Sequence, residues 1–373
     1  MKRAALVLAL VACSPAANVA PPRPEPLPSA VSSASQVAAV APAASASTPA
    51  GPGVCLGPKA SVEVVVDSPG AKAFTADADD LFWSDGHAIW RRPTAGGEPV
   101  QVVKDASPAS EVKRLVVDGA QVWLVAAKDF DRGCIGLIGF VPRAGGTVTK
   151  VGPAGCAEDL ALSKDDVAFV LRSTDPGGGH LLGNLYSAKR EKGAKSLVLK
   201  RGFNGSSHVA SDGAFAYFAA EIGGLDRIAL GDGPTTRLTD GRFENVIDKV
   251  DGQRFEVDAT HIYFLHGHLN LNGLRLHRMP KDGSEKPKLL GRALPVTPRG
   301  EGYPRGPMLV SSTHVYWSSP GEGKVLRVDK TGRCGVEIIA AERSSPDFLA
   351  LTSTHVYWLE SEGDKQRVVR LAL

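Results

Sequence analysis

Most of what would announce a familiar chemistry is missing from this chain of 373 residues. Neither charge is in excess, with 43 Lys and Arg against 40 Asp and Glu, which leaves no electrostatic case for a nucleic-acid partner. Aromatic residues make up 6% of the chain and there are only 3 Met. Catalytic and phosphate-binding signatures are absent: no G-x-S-x-G, no H-E-x-x-H, no P-loop and no G-x-G-x-x-G between a strand and a helix. No apolar run approaches the ~20 residues that cross a bilayer as a helix. The 5 cysteines include no C-x-x-C and no neighbouring His, so a zinc site is not expected. In contrast, 41 Gly, 26 Pro and a 43% hydrophobic fraction favour many short strands and turns, and argue against a wholly disordered chain.

The first residues carry an address. Met1-Lys2-Arg3 is basic, residues 4–11 are apolar, and Ala12-Cys13 closes the segment with small side chains. This order reads as an export signal, too short to be a membrane span. Its removal takes the formal charge from +3 to +1, since it carries Lys2 and Arg3 and no acid. Leu10-Val11-Ala12-Cys13 resembles the bacterial lipobox. The resemblance implies cleavage before Cys13, a diacylglyceryl thioether on its sulfur as the one membrane anchor, and, with Ser14 following, an outer-membrane address on the periplasmic or cell-surface side. The alternative is an ordinary secretory signal with an incidental cysteine. From Ser14 to Gly53 the chain is almost all Ala, Pro, Ser, Val and Gly, with Arg23 and Glu25 its charges. Such a segment has too little apolar surface to offset its ordering entropy, so a flexible tether is expected. The expected layout is a signal peptide at 1–12, lipidated Cys13 and tether at 13–54, and one folded region at 55–373.

That region is repetitive. A unit of apolar strand, tight polar turn, strand with two adjacent large residues, loop, strand, Gly turn and strand recurs seven times. The dyads are Phe82-Trp83, Val122-Trp123, Ala168-Phe169, Tyr217-Phe218, Tyr263-Phe264, Tyr316-Trp317 and Tyr357-Trp358, and their second members are spaced by 40, 46, 49, 46, 53 and 41 residues. These spacings match a four-stranded blade, so an all-β, seven-bladed β-propeller is expected. The seventh unit runs out of sequence after three strands. Residues 61–66, Ser-Val-Glu-Val-Val-Val, stand alone upstream as a β-branched strand able to supply the fourth and close the ring. With Cys13 lipidated, Cys55, Cys134, Cys156 and Cys334 remain. An even number in an exported chain reads as two disulfides, and proximity in the repeat favours Cys134 with Cys156 and Cys55 with Cys334.

Leu81-Phe82-Trp83-Ser84-Asp85 before Ile89-Trp90-Arg91, and Val315-Tyr316-Trp317-Ser318 before Val325-Leu326-Arg327, resemble YWTD-type propeller repeats. Those modules usually have six blades, so neither their ligands nor their inter-blade contacts carry over. A lipid anchor joined to a propeller also resembles bacterial envelope lipoproteins that scaffold outer-membrane assembly.

Long insertions fall at residues 126–133, 172–183, 239–255, 265–273 and 291–307, all on the face where second-to-third-strand and blade-to-blade connections open. Variation on one face of a rigid ring is how binding surfaces are built. The candidate binding residues there are Arg242, Arg254, His266, His268, Arg299, Tyr303 and Arg305, Arg for its forked donors and Tyr for a flat contact. His266 and His268 supply at most two metal ligands, and no metal or cofactor is expected. His261, His314 and His355 recur at one turn position and read as structural. The expected function is a monomeric, membrane-anchored envelope lipoprotein whose propeller binds or scaffolds a protein, peptide or glycan, with no catalytic residues assigned. The alternative is a propeller-class hydrolase or lactonase with a metal or acidic site at the channel mouth.

Overall fold

The short β-branched and aromatic segments separated by Gly, Asp and Pro form strands throughout. The computed structural model describes residues 61–68, 70–107, 110–130, 133–174, 181–203, 208–219, 224–231, 233–239, 255–268, 273–292, 308–363 and 365–373. Among them are 28 strands and one 3₁₀ turn at Pro320–Glu322. The strands make seven four-stranded antiparallel sheets. Blade one runs from Ala73 to Val103, and blade seven holds Asp347–Leu351, His355–Glu362 and Lys365–Ala372. Successive blades pack on one another, mostly through their innermost strands, and that of blade seven packs on that of blade one, which closes the ring.

Closure works as the end of the sequence suggested. Glu63–Asp67 pairs antiparallel with Lys365–Ala372, from Glu63 opposite Arg370 to Asp67 opposite Arg367. Arg370 adds an ion pair to Glu63 at 2.8 Å and a hydrogen bond to the Thr94 carbonyl of blade one. The last blade is thereby built from both ends of the folded region, and its outer strand cannot leave without exposing an unpaired edge.

Adjacent residues of a strand point to opposite faces, so each dyad serves two inter-blade interfaces. Phe82 packs with Val112, Val122 and Leu124 of blade two, while Trp83 packs with Tyr357 and Leu359 of blade seven. Trp358 contacts the cluster of blade six and Trp317 that of blade five. Seven such clusters fill the seven interfaces. Blade two corrects the expected dyad. Gln121 pairs at the turn where Asp80 does in blade one, so the equivalent pair is Trp123-Leu124 rather than Val122-Trp123. Trp123 accordingly faces blade three and Leu124 faces blade one.

The short turns between first and second strands are tied across the blades. Asp258 accepts the N–H groups of Thr260 and His261 at 2.8 Å each, the Tyr263 hydroxyl at 3.0 Å and Lys330 Nζ of the next blade at 2.7 Å. Asp212 repeats the arrangement with Ala214, Phe215, Tyr217 and Lys281. Asp77 holds Arg143, and Asp118 pairs with Arg190. Ser311 and Thr352 cap their own turns with hydroxyls instead. His261, His314 and His355 each place Nδ1 2.7–2.8 Å from the preceding threonine hydroxyl, as turn residues do. The glycine that follows the cation, Gly283 at φ 74° and Gly332 at φ 72°, turns the chain in the left-handed region.

The insertions at 126–133, 172–183 and 265–273 differ from the loops expected of them. Strands Gln121–Phe130 and Gly133–Pro142 pair as far as Phe130 opposite Gly133, Thr174 reaches Leu181, and His268 reaches Gly273. They are second-to-third-strand hairpins that prolong the sheets. Cys134, on the first of them, is disulfide-bonded to Cys156 at the start of blade three's innermost strand. Closing a segment of 22 residues restricts the unfolded chain by about 3 kcal/mol on the loop-entropy account. Cys334 is also disulfide-bonded, and its expected partner Cys55 lies outside the described residues.

Two predictions follow from these ties. A chain shortened to begin at Ser68 lacks the closing strand and is expected to unfold at lower temperature and to associate through the bared edge, read by scanning calorimetry and light scattering. Partial burial opposes ionisation of Asp258 and Asp212, but the Lys, backbone N–H and Tyr donors outweigh it and hold both carboxyls below their usual range. Their stabilisation is therefore complete above the unfolded value of ~3.9 and is lost as pH falls through their lower folded values. The urea midpoint is expected to drop below about pH 4, and less steeply in Asp258→Asn.

Candidate functional site at the mouth of the central channel

The innermost strands enclose a channel of about 600 Å³. Among the described residues three of them carry a bulge. In blade two, Val112 opposes Ala126 and Arg114 opposes Val125, which leaves Lys113 as the extra residue. In blade three, Ala157 opposes Leu171 and Asp159 opposes Val170, which leaves Glu158. In blade seven the register shifts between Asp347 and Ala350, around Phe348. A bulge bends its strand and re-aims side chains, and here it turns charged residues to the channel. Phe348, at φ 50°, occupies a conformation that bulky residues avoid. The Asp347 carboxylate holds its N–H at 2.9 Å.

The lining is two-sided. Lys113, Arg114, Glu158, Asp159, His208 and Glu256 come from blades two to five. Blades six, seven and one present Leu309, Val310, Phe348, Leu351 and Phe74, with Thr75 the one hydroxyl among the described residues there.

Asp159 organises the charged side. Its side chain is 6% exposed and accepts from Arg114, from His208 Nδ1 at 2.5 Å, from the Val209 N–H at 3.1 Å and from its neighbour Leu160 N–H at 2.9 Å. His208 Nε2 lies 2.7 Å from the Phe255 carbonyl oxygen. A carboxylate and a carbonyl both accept, so the imidazolium form satisfies the two contacts at once. The ring sits edge-on to Phe255 at 4.8 Å. His208 thus ties blades three, four and five together. Burial pulls the Arg114 guanidinium below its ordinary value, and the nearby Glu256 carboxylate acts in the opposite sense. Glu158 meets Arg172 Nε at 3.3 Å, at the root of the blade-three hairpin. The hairpins, the Cys134–Cys156 bridge and the charged half of the channel therefore share one face. The opposite face carries the tight Asp, Ser and Thr turns.

Five of the seven candidate binding residues are not among the described ones. Arg242, Arg254, Arg299, Tyr303 and Arg305 lie outside the described residues. His266 and His268 lie on the strand His261–His268, opposite Arg275 and Gly273, and their side chains are outside what is described. Arg114, Asp159, His208 and Glu256 escaped the sequence reading, which looked for function in long insertions. The available signal was a charged residue within or beside a short apolar first strand, as in Val112-Lys113-Arg114-Leu115 and Ala157-Glu158-Asp159-Leu160. Among the described residues no group of three or more His, Cys, Asp or Glu is placed to hold a metal ion.

No protein family and no curated protein matches the chain. Solved structures do. A streptogramin B lyase superposes with a TM-score of 0.58 at 11% identity, over 83% of this chain and 97% of that one. Virginiamycin B lyase from Staphylococcus aureus gives 0.55 at 12% identity, over 84% and 99%. A catalytically inactive form of the same enzyme with quinupristin gives 0.54 at 11%, over 84% and 100%. At these identities the likeness establishes the shared propeller fold, and residue roles do not transfer.

Removing Asp159 leaves the Arg114 guanidinium without its counter-ion and His208 Nδ1 without its hydrogen-bond partner. Asp159→Ala is expected to lower stability by about 3–5 kcal/mol in urea unfolding. Glu111→Ala, which breaks an exposed pair with Lys113 at 2.9 Å, is expected to cost less than about 1 kcal/mol.

Proposed function

We propose that this chain is an exported envelope lipoprotein, anchored through Cys13, whose seven-bladed propeller binds a protein, peptide or glycan by the face that carries the hairpins. The observation that carries the reading is the asymmetry of the ring. Extended hairpins and the charged channel mouth lie on one side, and short self-capped turns on the other. A rigid scaffold with its variation gathered on one face is suited to recognition. The acid–base chemistry of the channel supports recognition over turnover. A general base needs a lone pair open to its substrate, whereas Asp159 already accepts four donors and both nitrogens of His208 are engaged. The bridge between Cys134 and Cys156 fits an oxidising compartment beyond the inner membrane.

The test is affinity capture of the lipidated protein from its own membranes after mild cross-linking, with quantitative mass spectrometry, beside a chain with a deletion in the blade-three hairpin, residues 173–182 giving way to an Asn-Gly turn. An envelope component captured by the intact chain and lost with the deletion is the expected result. Equal capture by both chains would count against the hairpin face. Cys13→Ala is expected to abolish incorporation of labelled fatty acid and to release the protein from the membrane fraction. Retained labelling would contradict the anchor.

A further inference from the structure

His208 joins its neighbours through a ring whose two nitrogens both face acceptors. Nδ1 lies 2.5 Å from the Asp159 carboxylate of blade three, and Nε2 lies 2.7 Å from the Phe255 carbonyl oxygen of blade five. A neutral imidazole has one N–H and one lone pair. With its hydrogen on Nδ1, the Nε2 lone pair is pressed against the carbonyl oxygen. With its hydrogen on Nε2, the Nδ1 lone pair is pressed against the carboxylate. Only the cation donates to both. The side chain is 11% exposed and its ring stands edge-on to Phe255 at 4.8 Å, so solvent has little room to replace either acceptor.

The charges around the ring divide. Asp159 touches it and favours the proton, and Glu158 of the same strand and Glu256 of the blade-five strand act in the same sense. Lys113 and Arg114 of blade two and Arg172 of blade three oppose it. Each of these three cations is itself paired with a carboxylate, Lys113 with Glu111, Arg114 with Asp159 and Arg172 with Glu158. Arg114 takes the other oxygen of Asp159 from the one that His208 meets. Asp166, on the strand that carries Arg172, is held by Lys189 at the turn face, and the Tyr217 hydroxyl of blade four donates to Asp212 there. Blade four's own innermost strand, Val209–Ser211, carries no charge. Coulomb energy falls with distance, so the carboxylate in hydrogen-bond contact prevails.

We propose that His208 is a proton-operated clasp between blades three and five: charged, it holds this part of the channel wall together, and loss of its proton as the pH rises releases the Phe255 carbonyl and frees the blade-five side of the mouth. In the unfolded chain the proton leaves with a midpoint of about 6.5, and the clasp is expected to hold it about tenfold more tightly. The stabilisation is therefore fully present below about pH 6.5 and is lost as the pH rises through about 7.5. The clasp requires neither the lipid anchor nor a captured partner, so it stands or falls apart from the proposed function.

The experiment follows the imidazole of His208 by NMR in the full chain in detergent, with isotope-labelled histidine. Among the 9 histidines its signals are identified by their through-space contact with the Phe255 ring. A titration midpoint about one pH unit above that of a free histidine is expected, and one at or below about 6.5 overturns the proposal. Above the midpoint the contact with Phe255 is expected to weaken, and an unchanged contact overturns the release. His208→Gln removes the titrating group. From about pH 7 to about pH 9 the urea midpoint of the native chain is expected to fall while that of the variant stays level. An equal fall in both chains overturns the role of His208. If the variant does not fold, the native titration and the Phe255 contact decide between the two outcomes.

Discussion

Ring closure is the constraint on which everything else in this molecule depends. Blade seven has only three strands of its own, and Glu63–Asp67 supplies the fourth. Without that pairing, Lys365–Ala372 would be an open edge, and blades one and seven would be held mainly by the side chains around Trp83, Tyr357 and Leu359. Backbone hydrogen bonds between the two ends of the folded region convert a row of sheets into a closed circle. Each of the seven hydrophobic clusters is then compressed between two neighbours. The turn-face pairs, such as Asp258 with Lys330 and Asp77 with Arg143, add a second, electrostatic belt that runs from blade to blade.

Closure also creates the channel, and the channel sets the terms for any charge within it. Seven innermost strands approach one axis, where water is limited and an isolated ion is costly. Asp159 meets that cost by gathering four donors, and His208 by bridging Asp159 to the Phe255 carbonyl. These contacts join blades two to five, so the same groups that give the mouth its polarity also fix the spacing of the wall. The bulges at Lys113 and Glu158 bring the charges to the axis, and the one around Phe348 sets an aromatic residue across from them. The paired charges thus stiffen this half of the channel wall.

Much of the fold was legible because its signals are local and repeated. The aromatic dyads, the lone strand near residue 63 and the Cys134–Cys156 pair each follow from strand periodicity or from position in the repeat. The slip at Trp123 shows the limit of that reading. Val122 and Leu124 are both apolar, so hydrophobicity alone could not decide which neighbour joined the tryptophan, and pairing register decided it. The insertions read as loops because Gly-containing and polar stretches resemble connections. Around Phe130 and Thr174, pairing with the returning strand keeps them extended. The channel arc was hidden for a different reason. Arg114, Asp159, His208 and Glu256 are each ordinary in sequence, and only closure brings residues 45 to 50 positions apart into contact.

The functional account comes down to a face. Hairpins, a stapling disulfide and a polar channel mouth stand on one side of a rigid ring, with capped turns on the other. Lysine acetylation footprinting of the protein in its own membranes, compared with the purified chain, tests this most directly. Lys72 and Lys128 lie on the hairpin side, and Lys164, Lys192 and Lys286 lie in exposed turns on the other. The account predicts that Lys72 and Lys128 lose reactivity in membranes while the three turn lysines keep theirs. Protection of the turn lysines, with Lys72 and Lys128 left reactive, would contradict it.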